Sequence, residues 1–277
     1  AQGAILIPSL DARTPSAPPE SSPTRRMGSA VFPPHRYPWL TDPVDDVPLA
    51  DRPDGHTLMV AVGSNASTAV LRAKLADHRG ADIRPTRVAV SSIALGYLAH
   101  VAARGYIPAA PFVSPGSVSV VSAFWLDEDQ LTALDSTEPN YHRLTVTTTS
   151  HPLREADDRE FGDRRITGVV DTETCPRETT FPPLHSSPVP QFALYASRHG
   201  VLTDRRSTPL TFGTQRTVLR HLSTFLDDSS LAGEPAAVCA ELGRSRSRAA
   251  ALTRRIHESG LCRDDGFAHV HSEGGSR

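Results

Sequence analysis

Thr57-Leu-Met-Val-Ala-Val62 is an unbroken apolar run of strand length that stops at Gly63-Ser-Asn65. Because it shows no polar alternation, it predicts a strand buried on both faces. The period then changes. Ser67 is placed to cap a helix carrying Val70, Leu71, Lys74 and Leu75 at helical spacing, with Gly80 as its stop. A second strand is expected over 87–95, and an irregular stretch over 97–115, where Gly105 and three prolines interrupt the pattern. Residues 117–126 are the best strand in the chain by β-branched and aromatic content.

Asp127 opens a short helix, and Gln130 completes a capping-box pattern, with Leu131 and Leu134 as the buried edge. Residues 144–149 alternate like a strand. A polar, Pro-rich insertion over 150–190 carries one short expected strand at 166–170, and further short strands are expected at 191–196 and 200–202. From Thr214 the pattern is helical: Val218, Leu219, Leu222, Phe225 and Leu226 form one stripe, and helices over 234–242 and 245–259 follow. This order predicts a mixed domain over 56–205, a helical C-terminal extension over 206–262 and a flexible tail over 263–277.

Composition changes the picture mainly at the N-terminus. Of 24 prolines, eleven fall at or before Pro53, so residues 1–55 read as a flexible Pro-rich segment. The competing expectation is an arm that docks Val31, Phe32, Tyr37 and Trp39 onto the main domain. With 29 basic and 31 acidic residues, nothing points to nucleic acid or an acidic membrane. No apolar run has the length of a membrane span, and the apolar residues 4–7 are too few for a signal-peptide core. Three widely spaced cysteines fit reduced thiols, so a soluble cytoplasmic protein is expected.

Two segments carry candidate chemistry. A strand running through a Gly-Ser-Asn turn into a helix presents main-chain N–H groups suited to a carboxylate or an oxyanion. About seventy positions later comes Glu138, held out of helical geometry by Pro139. Such a carboxylate can take a proton and return it within one cycle, provided no strong ion pair, such as one with Arg143, occupies it. Tyr97, His100 and Tyr106 are candidates for a pocket wall or for surface loops. His257, Cys262, His269 and His271 match no standard zinc spacing, so no metal and no cofactor is expected. The arginines from 244 to 255 read as a solvated helix face.

Taken in order, these residues resemble the gamma-glutamylcyclotransferase family. Gly63-Ser-Asn65 follows a first strand. Then come Phe124-Trp-Leu126, an acid-capped helix, Leu134-Asp135, Glu138 and Tyr141-His-Arg143. The family typically shows Tyr-Gly-Ser-Asn early, and later Leu-Asp-x-x-Glu-Gly followed by Tyr-x-Arg. The resemblance covers about 56–150, extending toward 205. It implies an α+β fold, a small mixed β-barrel with flanking helices, and a transferase or lyase chemistry on a small-molecule γ-glutamyl substrate. Glu138 would be the general acid/base in closing 5-oxoproline. Val62, Gly63, Ser64, Asn65 and Tyr141 would bind the substrate. The alternative is a non-catalytic module that keeps the fold. The chain departs from the family pattern in having Val62 in place of the tyrosine and Pro139 in place of the glycine.

Overall fold

The apolar run at 57–62 becomes the centre of a sheet, because a strand without a polar face is stable only when covered on both sides. In the computed structural model, which describes residues 32–40, 47–78, 83–157 and 189–267, this is β1 (Thr57–Ala61). Its neighbours are β3 (Ala109–Leu126), antiparallel, and β6 (Gln191–Ser197), parallel. Outward from β3 lie β2 (Thr86–Tyr97) and β5 (Leu153–Glu155), and beyond β6 lies β4 (Tyr141–Thr147). The order β4-β6-β1-β3-β2-β5 is linear among the described residues. The expected barrel is therefore corrected to a mixed six-stranded sheet that does not close, since β4 and β5 end as separate edges.

Alternate residues of the central strands feed two cores. Leu58, Val60, Val121, Ala123, Phe192 and Leu194 face one side. Met59, Ala61, Phe124, Leu126, Ala193 and Tyr195 face the other. The second side is covered by α1 (Thr68–Lys74) and α2 (Glu128–Ser136) through Leu71, Leu131 and Leu134. The first is covered by α3 (Gln215–Phe225), α4 (Pro235–Arg244) and α5 (Arg246–Glu258), whose Val218, Leu222, Val238, Leu242, Leu252 and Ile256 belong to the same core as the sheet. The C-terminal helices thus share the domain's core rather than hanging from it. The short pair β7 (Val201–Leu202) and β8 (Cys262–Arg263) ties the chain end to the sheet, and Phe267 is buried within the expected tail.

Of the irregular stretch expected over 97–115, residues 98–108 are loop as expected, but 109–115 are strand. β2 and β3 pair from Tyr97↔Ala109 to Ile93↔Val113, and again from Ser91↔Val118 onward. Residues 114–117 bulge out at the register shift, where Gly116 takes φ 80°. Pro115 lies in this bulge and Pro111 pairs with Leu95, so neither proline ends the strand. The expected strand at 166–170, Gly80, Val31 and Cys175 lie outside the described residues.

Within the expected N-terminal tail, residues 32–40 pack onto the sheet. Phe32, Tyr37 and Trp39 are buried in the main core, and a 3-10 turn at Pro34–Arg36 shapes the segment.

Candidate functional site

Helix α2 begins with the capping box read from the sequence: Asp127 accepts from Gln130 N–H at 2.8 Å, and Gln130 returns a bond to Asp127 N–H at 3.0 Å. It ends at Thr137, whose hydroxyl donates to the Leu134 carbonyl at 2.8 Å. The next four residues close a turn in which Tyr141 N–H donates to the Glu138 carbonyl at 3.0 Å. Pro139 occupies the second position of that turn, where its fixed φ suits the backbone. The turn sets Glu138 at the end of α2 and starts β4 with Tyr141.

Across the sheet, β1 delivers the 3-10 turn Gly63–Ala66, and α1 follows, capped by Ser67. Asn65 Nδ2 donates to Glu138 Oε1 at 2.9 Å. Lys74, in the last turn of α1, donates to Asn65 Oδ1 at 2.8 Å and forms an ion pair with the same Glu138 oxygen. The lysine and glutamate side chains are only 9% and 10% exposed, so the pair is a buried one. The expectation that Glu138 stands without a tight partner is corrected. Arg143 is not that partner, since it bonds Glu128 at 3.3 Å and Asp135 at 3.2 Å. The three contacts fix the Asn65 amide orientation and load Oε1, and no hydrogen bond among the described residues reaches Oε2.

Glu138 lines a cavity of about 120 Å³ together with Val62, Ser64, Asn65, Lys74 and Tyr141. Tyr37, Trp39, Arg104, Tyr106, Asn140 and Tyr195 line it as well. Of the sequence candidates, Val62, Ser64, Asn65, Glu138 and Tyr141 meet at this cavity, and Tyr106 walls it. Gly63 is the first residue of the same turn. Tyr97 and His100 lie elsewhere: Tyr97 Oη donates to the Thr214 carbonyl at 3.0 Å, and His100 stacks on His199 with ring centroids 4.1 Å apart.

The Tyr37 phenol stands against the 63–65 turn, the segment expected to offer main-chain N–H groups to an anion. The Tyr37 hydroxyl accepts the Ala109 N–H at 3.0 Å. Gly63 has φ 60°, and a Cβ there would fall 2.0 Å from Tyr37 Oη. Only glycine lets the phenol approach the turn. Tyr141 Oη donates to the Ala109 carbonyl at 2.7 Å, so two tyrosines satisfy both polar groups of one peptide residue.

The electrostatics follow from burial. Desolvation pushes the phenols of Tyr37, Tyr106 and Tyr141 above their usual value, and the nearby Glu138 carboxylate pushes them further. All three are neutral donors at neutral pH. Arg104 is held below its ordinary value by partial burial. Its guanidinium donates to the Phe32 carbonyl and lies 5.0 Å over the Trp39 ring.

Sequence reasoning missed Tyr37, Lys74, Arg104 and Tyr195 as site residues. Tyr195 donates to Asp135 at 2.7 Å and so braces the end of α2. Among the described residues no group of three or more His, Cys, Asp or Glu side chains is arranged to hold a metal. His257 Nδ1 and Cys262 Sγ are 3.3 Å apart, while His269 and His271 lie outside the described residues. No described helix is long and apolar enough to cross a membrane.

No family model and no curated protein matches the chain. Among solved structures, one described as a gamma-glutamyl cyclotransferase is similar at 9% identity with a TM-score of 0.33, over 79% of this chain and 97% of that one. So distant a likeness assigns no activity, and the functional reading rests on the site's own geometry together with the sequence motifs.

Proposed function

We propose that the chain is a gamma-glutamylcyclotransferase-like enzyme that releases 5-oxoproline from a small γ-glutamyl amine or peptide. One observation carries the reading: Glu138, whose Oε2 has no hydrogen bond among the described residues, lines the cavity that Ser64 and Asn65 also line. A volume of about 120 Å³ is well below the roughly 300–1,000 Å³ typical of drug-sized pockets. It suits a head group of amino-acid size, with the leaving amine toward the mouth.

The chemistry needs one mobile proton. Glu138 Oε2 takes a proton from the substrate's α-amine as that nitrogen bonds to the γ-carbonyl carbon. The carbonyl π pair moves onto oxygen. When the intermediate collapses, the bond to the leaving nitrogen breaks, and Glu138 returns its proton to that nitrogen. No water and no cofactor enters this balance. Lys74 and Asn65 hold Oε1, so the carboxylate stays fixed in rotation while Oε2 works. Because attack is intramolecular, holding the near-attack conformer supplies much of the acceleration.

The test is 5-oxoproline release across a panel of γ-glutamyl amides by wild type and Glu138→Gln. Release by wild type and its loss in a folded Glu138→Gln are expected, since an amide cannot relay the proton. A fully active Glu138→Gln would refute the assignment. The Lys74 ion pair favours a second reading, a non-catalytic module that binds the same ligands. Stabilisation of wild type by γ-glutamyl compounds with no product would identify that case.

A further inference from the structure

We propose that Tyr37, delivered by the 32–40 strap, is the hydrogen-bond donor that the site directs at the substrate's γ-carbonyl oxygen. This rests on the cyclotransferase reading above and adds to it a residue that lies outside every motif of the sequence resemblance. The strap is fastened at several points. Trp39 Nε1 donates to the Pro33 carbonyl at 2.6 Å, and Arg104 donates to the Phe32 carbonyl and covers Trp39. The Tyr37 ring stacks on Tyr106 at 4.4 Å and meets Trp39 and Phe212 edge-on. These contacts leave the phenol little freedom.

The hydrogen bonds then define its role. The Ala109 main-chain N–H already occupies the oxygen as an acceptor. A phenol has one proton to give, and no described residue accepts it. Tyr37 lines the cavity that Glu138 also lines. Donation into an oxygen polarises its own O–H, so the Ala109 N–H makes Tyr37 a stronger donor toward a ligand. The proton stays on Tyr37 throughout. Its bond strengthens as charge collects on the carbonyl oxygen, the behaviour of an oxyanion-hole donor. Val62 stands where the resembled family has a tyrosine, and here a tyrosine reaches the turn from a different part of the chain.

The experiment compares wild type, Tyr37→Phe and a variant with polyfluorinated tyrosine at position 37, all as full chains, with γ-glutamyl amides as probes. Tyr37→Phe keeps the ring contacts and is expected to lose roughly 10²-fold or more in kcat, with a much smaller change in KM, as for loss of one oxyanion donor. The fluorinated ring keeps the hydroxyl but ionises more easily. It is expected to retain activity at neutral pH and to bring an alkaline limb to lower pH, because the phenolate cannot donate. A phenol with only a packing role would leave that limb in place. Wild-type turnover with an equally active Tyr37→Phe, or an unmoved limb in the fluorinated enzyme, overturns the Tyr37 role alone. A wild type that releases no 5-oxoproline from any probe overturns the cyclotransferase reading and this role with it. If Tyr37→Phe fails to fold, the fluorinated variant still decides.

Discussion

Lys74, Asn65 and Glu138 form a closed set in which each side chain restrains the other two. The ammonium and carboxylate are both nearly excluded from water, so removing one strands the other. Lys74→Met is expected to destabilise the fold by on the order of 3 kcal/mol, read as a lowered urea midpoint. Lys74→Met combined with Glu138→Gln should recover a large part of that loss, because no uncompensated charge then remains. If the double variant were as unstable as the sum of its parts, the pair would not be coupled. The lysine was visible in the sequence as an oddity, a charged residue inside the stripe Val70, Leu71, Lys74, Leu75. Helical spacing places it on the buried face, where a cation needs an acid. The pattern alone does not say which acid, because Glu138 is 64 residues away.

At the scale of elements, the site is an assembly of ends: the turn after β1, the last turn of α1, the end of α2 and the start of β4. The 32–40 strap closes the set. Local patterns predicted these ends well, since caps and turns are written in neighbouring residues: Ser67 before α1, Asp127 with Gln130 at α2, Pro139 after Glu138. The strap was harder to read because its order comes from long-range aromatic contacts, not from periodicity. Composition made the whole 1–55 segment look like a tail, although Tyr37 and Trp39 were visible as its exceptions. The first part of β3, 109–115, was hidden for the opposite reason, since Pro111, Pro115 and Gly116 normally signal a loop. Gly63→Ala tests the strap. The added methyl meets a positive φ and the Tyr37 oxygen, so a loss of about 1–3 kcal/mol is expected. A shift of Trp39 fluorescence toward that of exposed indole should accompany it, measured against Trp125 as the only other tryptophan. Unchanged emission and stability would show that the phenol does not seat against this turn.

For the whole molecule, the question is how the C-terminal helices bear on a site built by the sheet. They brace the loop that brings Arg104 and Tyr106 to the cavity. Gln215 of α3 bonds both the N–H and the carbonyl of Ile107 at 2.8 Å, and α4 sits so close to Gly105 that a Cβ there would lie 2.0 Å from the Cys239 carbonyl. Arg104 and Tyr106 are thereby held between the strap and the helices. A second junction joins α5 to the sheet through histidines. His257 meets the Ala99 carbonyl at 2.9 Å, and His100 stacks on His199, which contacts Asn140 of the cavity wall at 3.3 Å. Burial first, and then His199 and His257, lower His100 from 6.5 to about 4. Burial, His257 and Arg198 lower His199 in the same direction. A depressed folded-state value means that the unfolded chain binds protons first as the pH falls. The stabilisation is therefore complete above about pH 6.5 and is lost progressively down to about pH 4. The urea midpoint should fall with acid across that window, and His100→Phe, which keeps a ring to stack on His199, should flatten the fall. An equally steep decline in His100→Phe would assign the acid sensitivity to other groups and leave this junction without a part in it.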